Sequence, residues 1–519
     1  MEFDIIVIGA GLGGLTAAAC AAKEGKRVLV LEKELTPGGS ATSFTRGRFE
    51  FDVSLHTLYG YSKSQGVGDV RIILDELGLS EEINFYEPQD AFRIVTKTKN
   101  CEKIDAVLPF GIEKFITALE EYAPGSKKPL EKLFNLAENT IAATDFLCSV
   151  NEKINMSFAK GLLKDYGNFV RTASYSVSEI MKALDMPKKA IDIISNLWYL
   201  AGVDCERMPF PQFAIMLYSI IQYGTYIPER RSSEISTTLA SFIESNGCEI
   251  RYNAFVTRIL FEKGNAKGVI LKNGEKIFCE HIICNCSPTF AYSKMMKAAD
   301  VPASAIKRTN ARAFGARGAA IYLGLNRSAS DLGIENYNTI ITETADSSVQ
   351  YDLMRTLNSN NTCIVSCPNT VIPDYSPKGT SVLTFTTLFT ENCWANVEPD
   401  DYFNEKDNFA KRIISVYENS TGIKISDYIE EIEIATPLTF ARYLNTPQGV
   451  IYGYSGEDWD GLLPRFMLEE SDNDTKGLRF CGGWGTQLSG FASAISSGRN
   501  TAYATLNDIA VTKTNNEAT

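Results

Sequence analysis

The stretch from Phe3 to Ser40 constrains the fold more than any other part of this 519-residue chain. Phe3 to Ile8 is an apolar run broken only by Asp4, the pattern of a strand buried on both faces. It leads directly into Gly9-Ala10-Gly11-Leu12-Gly13-Gly14, and then into the alanine-rich stretch Leu15 to Lys23, which predicts a helix. Gly25 stops that helix, and Arg27 to Leu31 is a second buried strand ending at Glu32. Gly9 permits the tight turn and Gly11 lets the backbone approach a pyrophosphate. Gly14 lets helix and strand pack closely, with Leu12 and Gly13 in the same turn. The helix amino terminus presents free N–H groups and the positive end of its dipole to the phosphates. Glu32 lies about 20 residues on, where a carboxylate accepts hydrogen bonds from the ribose hydroxyls. A glycine triplet alone is a weak signal. Set between a strand and a helix, with an acid at this distance, it predicts a dinucleotide-binding unit.

The residues after Glu32 are Lys33-Glu34-Leu35-Thr36-Pro37-Gly38-Gly39-Ser40-Ala41-Thr42. A second glycine pair here is not needed for a nicotinamide nucleotide. It resembles the extended fingerprint of FAD enzymes in the amine oxidase and phytoene desaturase superfamily. The resemblance implies that Gly38 and Gly39 give the backbone access to the cofactor, with Lys33, Ser40, Thr42 or Arg46 adding contacts. Two further stretches carry it along the chain. Thr436 to Gly453 resembles the segment that phytoene desaturases, carotenoid isomerases and retinol saturases place before their last FAD segment. Gly477-Leu-Arg-Phe-Cys481-Gly482-Gly483-Trp484-Gly485, Ser489-Gly490-Phe491 and a helix from Ala492 to Asp508 resemble that last segment. In the same superfamily a backbone group near the position of Val256 meets the adenine. The resemblance implies an α/β, two-domain flavoprotein. Residues 1–75, 230–290 and 475–519 would build a Rossmann-like FAD domain, and 76–229 with 291–474 a mixed-sheet and helical substrate domain.

Size and composition agree with this. A chain this long exceeds one ordinary core, and 44% hydrophobic with 22% charged residues are ordinary globular values. A net charge of −12 argues against a nucleic-acid partner, which needs a basic footprint. The amino terminus enters its first strand within three residues, leaving no room for a signal peptide. The longest apolar candidate for a membrane span, Phe210 to Tyr223, is interrupted by Pro211 and Gln212 and falls short of the ~20 residues required. These features point to a cytoplasmic protein. The apolar 191–223 region suits either core or a membrane-dipping entrance for a peripheral contact, and core is the stronger reading. The twelve cysteines read as free buried thiols. Cys284/Cys286 and Cys363/Cys367 lie in strand-like runs without histidines at metal-ligand spacing, so no metal site is expected.

From Gly111 to about Tyr223 the pattern turns helical, with amphipathic segments at Ile112–Tyr122, Leu130 to Val150 and Ser178 to Leu184. A helix around Ser236–Ser245 then leads into strands near 248–251, 256–262, 266–272 and 276–286. Further strands are expected near 319–325, 337–342, 363–367, 381–387 and 429–435, with a helix over 403–417. Val511 to Thr519 is polar and expected to fray.

Few side chains are needed where a flavin performs the hard step. His56, one of two histidines, lies in a segment that in the family returns toward the flavin and can exchange the proton accompanying hydride transfer. A hydrogen-bonded loop residue is the equal alternative. His281 reads as structural. Tyr59, Tyr226, Arg442, Tyr443 and Tyr452 stand in motifs that can face a cavity, although aromatic residues there more often pack. One departure from the family pattern stands out. Relatives carry a Tyr-Pro-x-Gly-Gly turn where this chain has Tyr226-Ile-Pro228-Glu-Arg230-Arg231. Arg230 or Arg231 can then grip a carboxylate or phosphate on an amphipathic substrate, against the plainer reading of a surface loop. The resemblance implies an FAD-dependent oxidoreductase acting on carbon–carbon double bonds of a lipophilic isoprenoid, polyene or fatty acyl substrate, with the electron acceptor or donor open. The alternatives are a flavin amine oxidase and a non-catalytic flavin-binding protein of lipid metabolism.

Overall fold

The computed structural model describes residues 3–54, 57–62, 68–149, 156–457, 460–461, 465, 475–485 and 490–517. Two large sheets organise these residues. The first has a parallel core in the order Leu478–Phe480, Lys276–Cys284, Phe3–Ile8, Val28–Leu31, Glu249–Arg251. Its central strand has no exposed residue, as its continuous apolar pattern requires. Lys276–Cys284 serves two purposes along its length. Its first residues pair antiparallel with Asn265–Leu271, which pairs in turn with Val256–Glu262. Its last residues run parallel to Phe3–Ile8.

Helix Leu12–Lys23 connects the first two strands, and its residues through Ala22 are buried. It packs between the helices Ser232–Ser245 and Phe491–Glu517. The last of these continues to Glu517 through most of the stretch expected to fray, as Val511 to Glu517 contain no glycine or proline; residues 518–519 lie outside the described residues. Phe210–Tyr223 is one continuous helix of 14 residues. The proline sits in the first turn, where its missing N–H is not needed.

The second sheet has the order Ile429–Ala435, Arg317–Leu325, Ser381–Phe389, Cys363–Ser366, Asn338–Ile341, Phe92–Lys97, Lys103–Leu108. All its pairings are antiparallel except Asn338–Ile341 with Phe92–Lys97. Arg317–Leu325 is buried at every position, with strands on both sides. A hairpin, Ser43–Arg46 with Phe49–Asp52, packs Phe49 and Phe51 against Tyr322 and Phe440. The helices from Ile112 to Tyr223 form one apolar core with Phe92, Ile94 and Leu388 of this sheet. In the 191–223 region Leu197, Trp198, Phe213, Leu217 and Ile221 lie within that core. No helix among the described residues is long and apolar enough to cross a membrane.

Candidate cofactor and substrate cavity

The parallel strands Phe3–Ile8, Val28–Leu31, Lys276–Cys284 and Leu478–Phe480 all end on one side of their sheet. Gly9, Glu32 and Asn285, directly after the first three, and Gly482, two residues beyond the fourth, line one cavity of about 1050 Å³. Open parallel sheets place ligands at the carboxyl ends of their strands, where connections diverge to opposite faces. The volume stands at the top of the ~300–1,000 Å³ range of small-molecule sites, enough for a dinucleotide.

Gly9, Gly11, Leu12 and Gly13 form part of its floor. Gly9 adopts φ +95°, a left-handed value that a side chain disfavours. Helix Leu12–Lys23 begins at Gly11 with no side-chain cap, so its first N–H groups stay available to an anion. Gly14 lies outside the lining. A methyl there would overlap the Gly9 carbonyl, in keeping with the expected close packing of helix and strand. Glu32 is buried and already oriented. Its carboxylate accepts the Ala10 N–H at 2.7 Å and the Glu34 N–H at 2.9 Å. The Glu32 carbonyl accepts the Ala254 N–H at 2.7 Å, which brings Ala254, Phe255 and Val256 to the cavity wall beside it.

The second glycine pair packs against the first turn. The Gly38 N–H donates to the Ala10 carbonyl at 2.7 Å, and a methyl on Gly39 would lie 3.4 Å from the Gly11 Cα. Gly38, Gly39, Ser40 and Thr42 line the cavity, as do Lys33 and Arg46. Lys33 Nζ pairs with Glu34 at 2.7 Å and donates to the Arg442 carbonyl at 3.1 Å. Arg46 pairs with Glu433 at 2.9 Å on the cavity edge. From the carboxy-terminal segment come Gly482, Gly483 and Phe491, with Trp484 beside them. Gly490 stands behind this wall against the Tyr59 hydroxyl. Phe44, Tyr322, Phe440, Val450 and Ile451 give the cavity an apolar side.

The candidate catalytic residues divide. His56 and Ser489 lie outside the described residues. Tyr59 does not line the large cavity. Its hydroxyl shares a hydrogen bond with the Ser493 side chain, and burial pushes the phenol pKa up, so it stays protonated through neutral pH. Arg231 is not free to grip a substrate, and the expectation is corrected. Its guanidinium donates to the carbonyls of Glu50 and Tyr375 at 3.3 and 2.5 Å, pairs with the Glu50 carboxylate at 3.2 Å, and stacks 4.4 Å from the Tyr375 ring centroid. It staples the hairpin to the start of helix Ser232–Ser245, away from the cavity lining. Arg230 is exposed, its N–H donating to Glu234 at 3.0 Å.

Of the other candidates, Arg442 and Tyr443 line the cavity, whereas Tyr226 packs edge-on against Tyr61. Tyr452 borders the helical core beside Gly202. His281 is a strand residue opposite Ile5, and desolvation lowers its pKa. No group of three or more His, Cys, Asp or Glu side chains among the described residues is arranged to hold a metal. Asn285 and the apolar wall were missed by the sequence reading. Asn285 had a signal: a polar side chain directly after a strand that neighbours the glycine-turn strand.

Comparisons with known proteins bear on this geometry. Residues 7–76 match a family model described as an NAD(P)-binding Rossmann-like domain. The chain is 25% identical over 475 residues to the chloroplastic prolycopene isomerase of Daucus carota, covering 87% of this chain and 72% of that one. It is 25% identical over 540 residues to the all-trans-retinol 13,14-reductase of Danio rerio, covering 98% and 86%. Among solved structures, a putrescine oxidase bound to putrescine superposes with a TM-score of 0.64 at 13% identity, covering 98% of this chain and 99% of that one. The similarity to these sequences therefore extends over most of the chain, and the fold is that of the putrescine oxidase structure.

Proposed function

We propose that this chain is an FAD-dependent oxidoreductase that acts on carbon–carbon double bonds of a lipophilic polyene or isoprenoid. The observation that carries the reading is one cavity with a dinucleotide-type turn as its floor and an apolar wall drawn from the hairpin, strand Arg317–Leu325 and the 437–451 segment. The named activities of the two sequence relatives, on retinol and on prolycopene, agree with it. FAD bound there supplies a two-electron carrier that accepts or returns a hydride equivalent.

The chain's own residues do the rest. The uncapped helix at Gly11 binds the diphosphate, and Glu32, locked by two backbone N–H groups, orients the ribose. Phe44, Tyr322, Phe440, Val450 and Ile451 hold an apolar substrate and exclude water, which a carbon-centred hydride transfer requires. Residues 1–75, 230–290 and 475–519 are the proposed cofactor domain.

The test is anaerobic incubation of the FAD-loaded protein with a lipid extract, once oxidised and once chemically reduced, followed by mass analysis. Loss of two hydrogens identifies a desaturase, gain of two with reduced flavin a saturase, and a retention shift at constant mass an isomerase. No change in any lipid overturns the reading.

A further inference from the structure

We propose that Asn285 orients the diphosphate of the bound dinucleotide, an assignment that rests on the reading of the cavity as an FAD site. Asn285 follows Cys284 at the carboxyl end of its strand, and its N–H donates to the Ile8 carbonyl at 2.9 Å. The side chain thus starts from a backbone position fixed against the strand that carries the first glycine turn.

Its carboxamide lies at the meeting point of two glycine-rich turns that are distant in sequence. A methyl built on Gly11 would come 2.6 Å from Asn285 Nδ2, and one on Gly13 would come 2.9 Å from Oδ1. A methyl on Gly482 would overlap Oδ1 outright, and one on Gly14 would stand 3.2 Å from the Asn285 Cβ. The glycines at 11, 13 and 482 therefore make room for this side chain as well as for a ligand. Seated there, the carboxamide has a defined direction. Oδ1 faces the last segment, accepting from the Cys481 thiol at 3.8 Å, and Nδ2 faces Gly11 at the uncapped helix start.

Asn285 is also part of the cavity lining. An amide NH₂ only donates and a diphosphate only accepts, so the two are complementary. The helix N–H groups supply the other donors from the same floor. A neutral donor held this rigidly fixes the diphosphate in one register without adding a mobile charge.

The test uses the full-length apoprotein, with FAD affinity read by quenching of flavin fluorescence and stability by thermal melting. Asn285→Asp is isosteric but turns the donor into a carboxylate facing the diphosphate. It is expected to weaken FAD binding on the order of 100-fold, and Asn285→Ala about 10-fold, the loss of a charge-assisted hydrogen bond with and without added repulsion. The apoprotein melting temperature should change little in Asn285→Asp. Asn285→Ala also vacates the space that Gly11→Ala requires, so the two substitutions together should cost less stability than the sum of each alone.

FAD affinity equal to wild type in both Asn285 variants overturns the proposal, because the residue then only packs. If Asn285→Asp does not fold, the alanine variant reads the same contact without a buried charge. A wild-type apoprotein that binds no FAD overturns the functional reading itself, and that failure is seen before any variant is made.

Discussion

Single residues in the first glycine turn answer to different neighbours. Gly14 answers to the backbone: a methyl there would run into the Gly9 carbonyl. Replacing a helical glycine by alanine ordinarily gains about 1 kcal/mol. Here the overlap with the Gly9 carbonyl is severe, and overpacking of that kind costs ~2–3 kcal/mol, the upper part of the usual range. Gly14→Ala is therefore expected to lower the stability of the apoprotein by about 1–2 kcal/mol net, read by urea denaturation. A neutral or stabilising effect would show that the helix can slide away from its strand. Gly11 answers to a side chain, Asn285, and Glu32 to two N–H groups that hold its carboxylate before any ligand arrives.

Among the elements, helix Ser232–Ser245 shows how a positive φ at a helix start is accommodated. Arg231 takes φ +70°, a strained value for a residue with a side chain. The strain is offset because its guanidinium ties the hairpin strand at Glu50 to Tyr375. Asp52, buried beside it, accepts the Ser232 N–H at 2.8 Å and so caps the helix from a distant strand. Arg231→Ala keeps the strain and loses the bonds, so it should cost ~2 kcal/mol of stability. Arg231→Gly relieves the backbone and should recover about 1 kcal/mol of that loss. The apparent KM for any substrate should stay at the wild-type value in both variants. A raised KM for an acidic lipid would return Arg231 to the binding site.

Across the whole molecule, carboxylates from distant elements are brought into one another's field. Asp145, on helix Lys127–Ser149, has its pKa pushed up to about 6, first by desolvation and then by the nearby Asp69 carboxylate. Asp69 lies on helix Asp69–Leu77, where its carboxylate accepts from Ser496 of the last helix at 3.1 Å. Since the folded-state pKa of Asp145 lies above its unfolded value of ~3.9, the folded chain binds this proton more tightly. Its contribution to stability is full below about pH 4 and is lost as the pH rises toward about 6. Asn at this position removes the effect. Asp145→Asn should melt like wild type near pH 4 and at a higher temperature than wild type at pH 7. Equal melting at both pH values would mean that burial does not raise the Asp145 pKa.

The order and type of the main elements were legible in the sequence, because apolar periodicity and glycine breaks are local properties. Phe3–Ile8, helix Leu12–Lys23 and the meander from Val256 to Cys284 fall close to where alternation and continuous apolar runs place them. So does the floor of the site, since the glycine turn and Glu32 belong to one strand–helix–strand unit. Tertiary structure alone decided the rest. Asn285 became part of that floor because its strand lies next to Phe3–Ile8, a pairing across more than 270 residues that local pattern does not encode. Arg231 was turned from the cavity by Glu50 and Tyr375, partners in two remote segments. The sequence by itself determined a dinucleotide turn at the carboxyl end of a buried strand. Only the packing of the two sheets determined which side chains close over it, because burial and contact between distant segments are properties of the assembled chain.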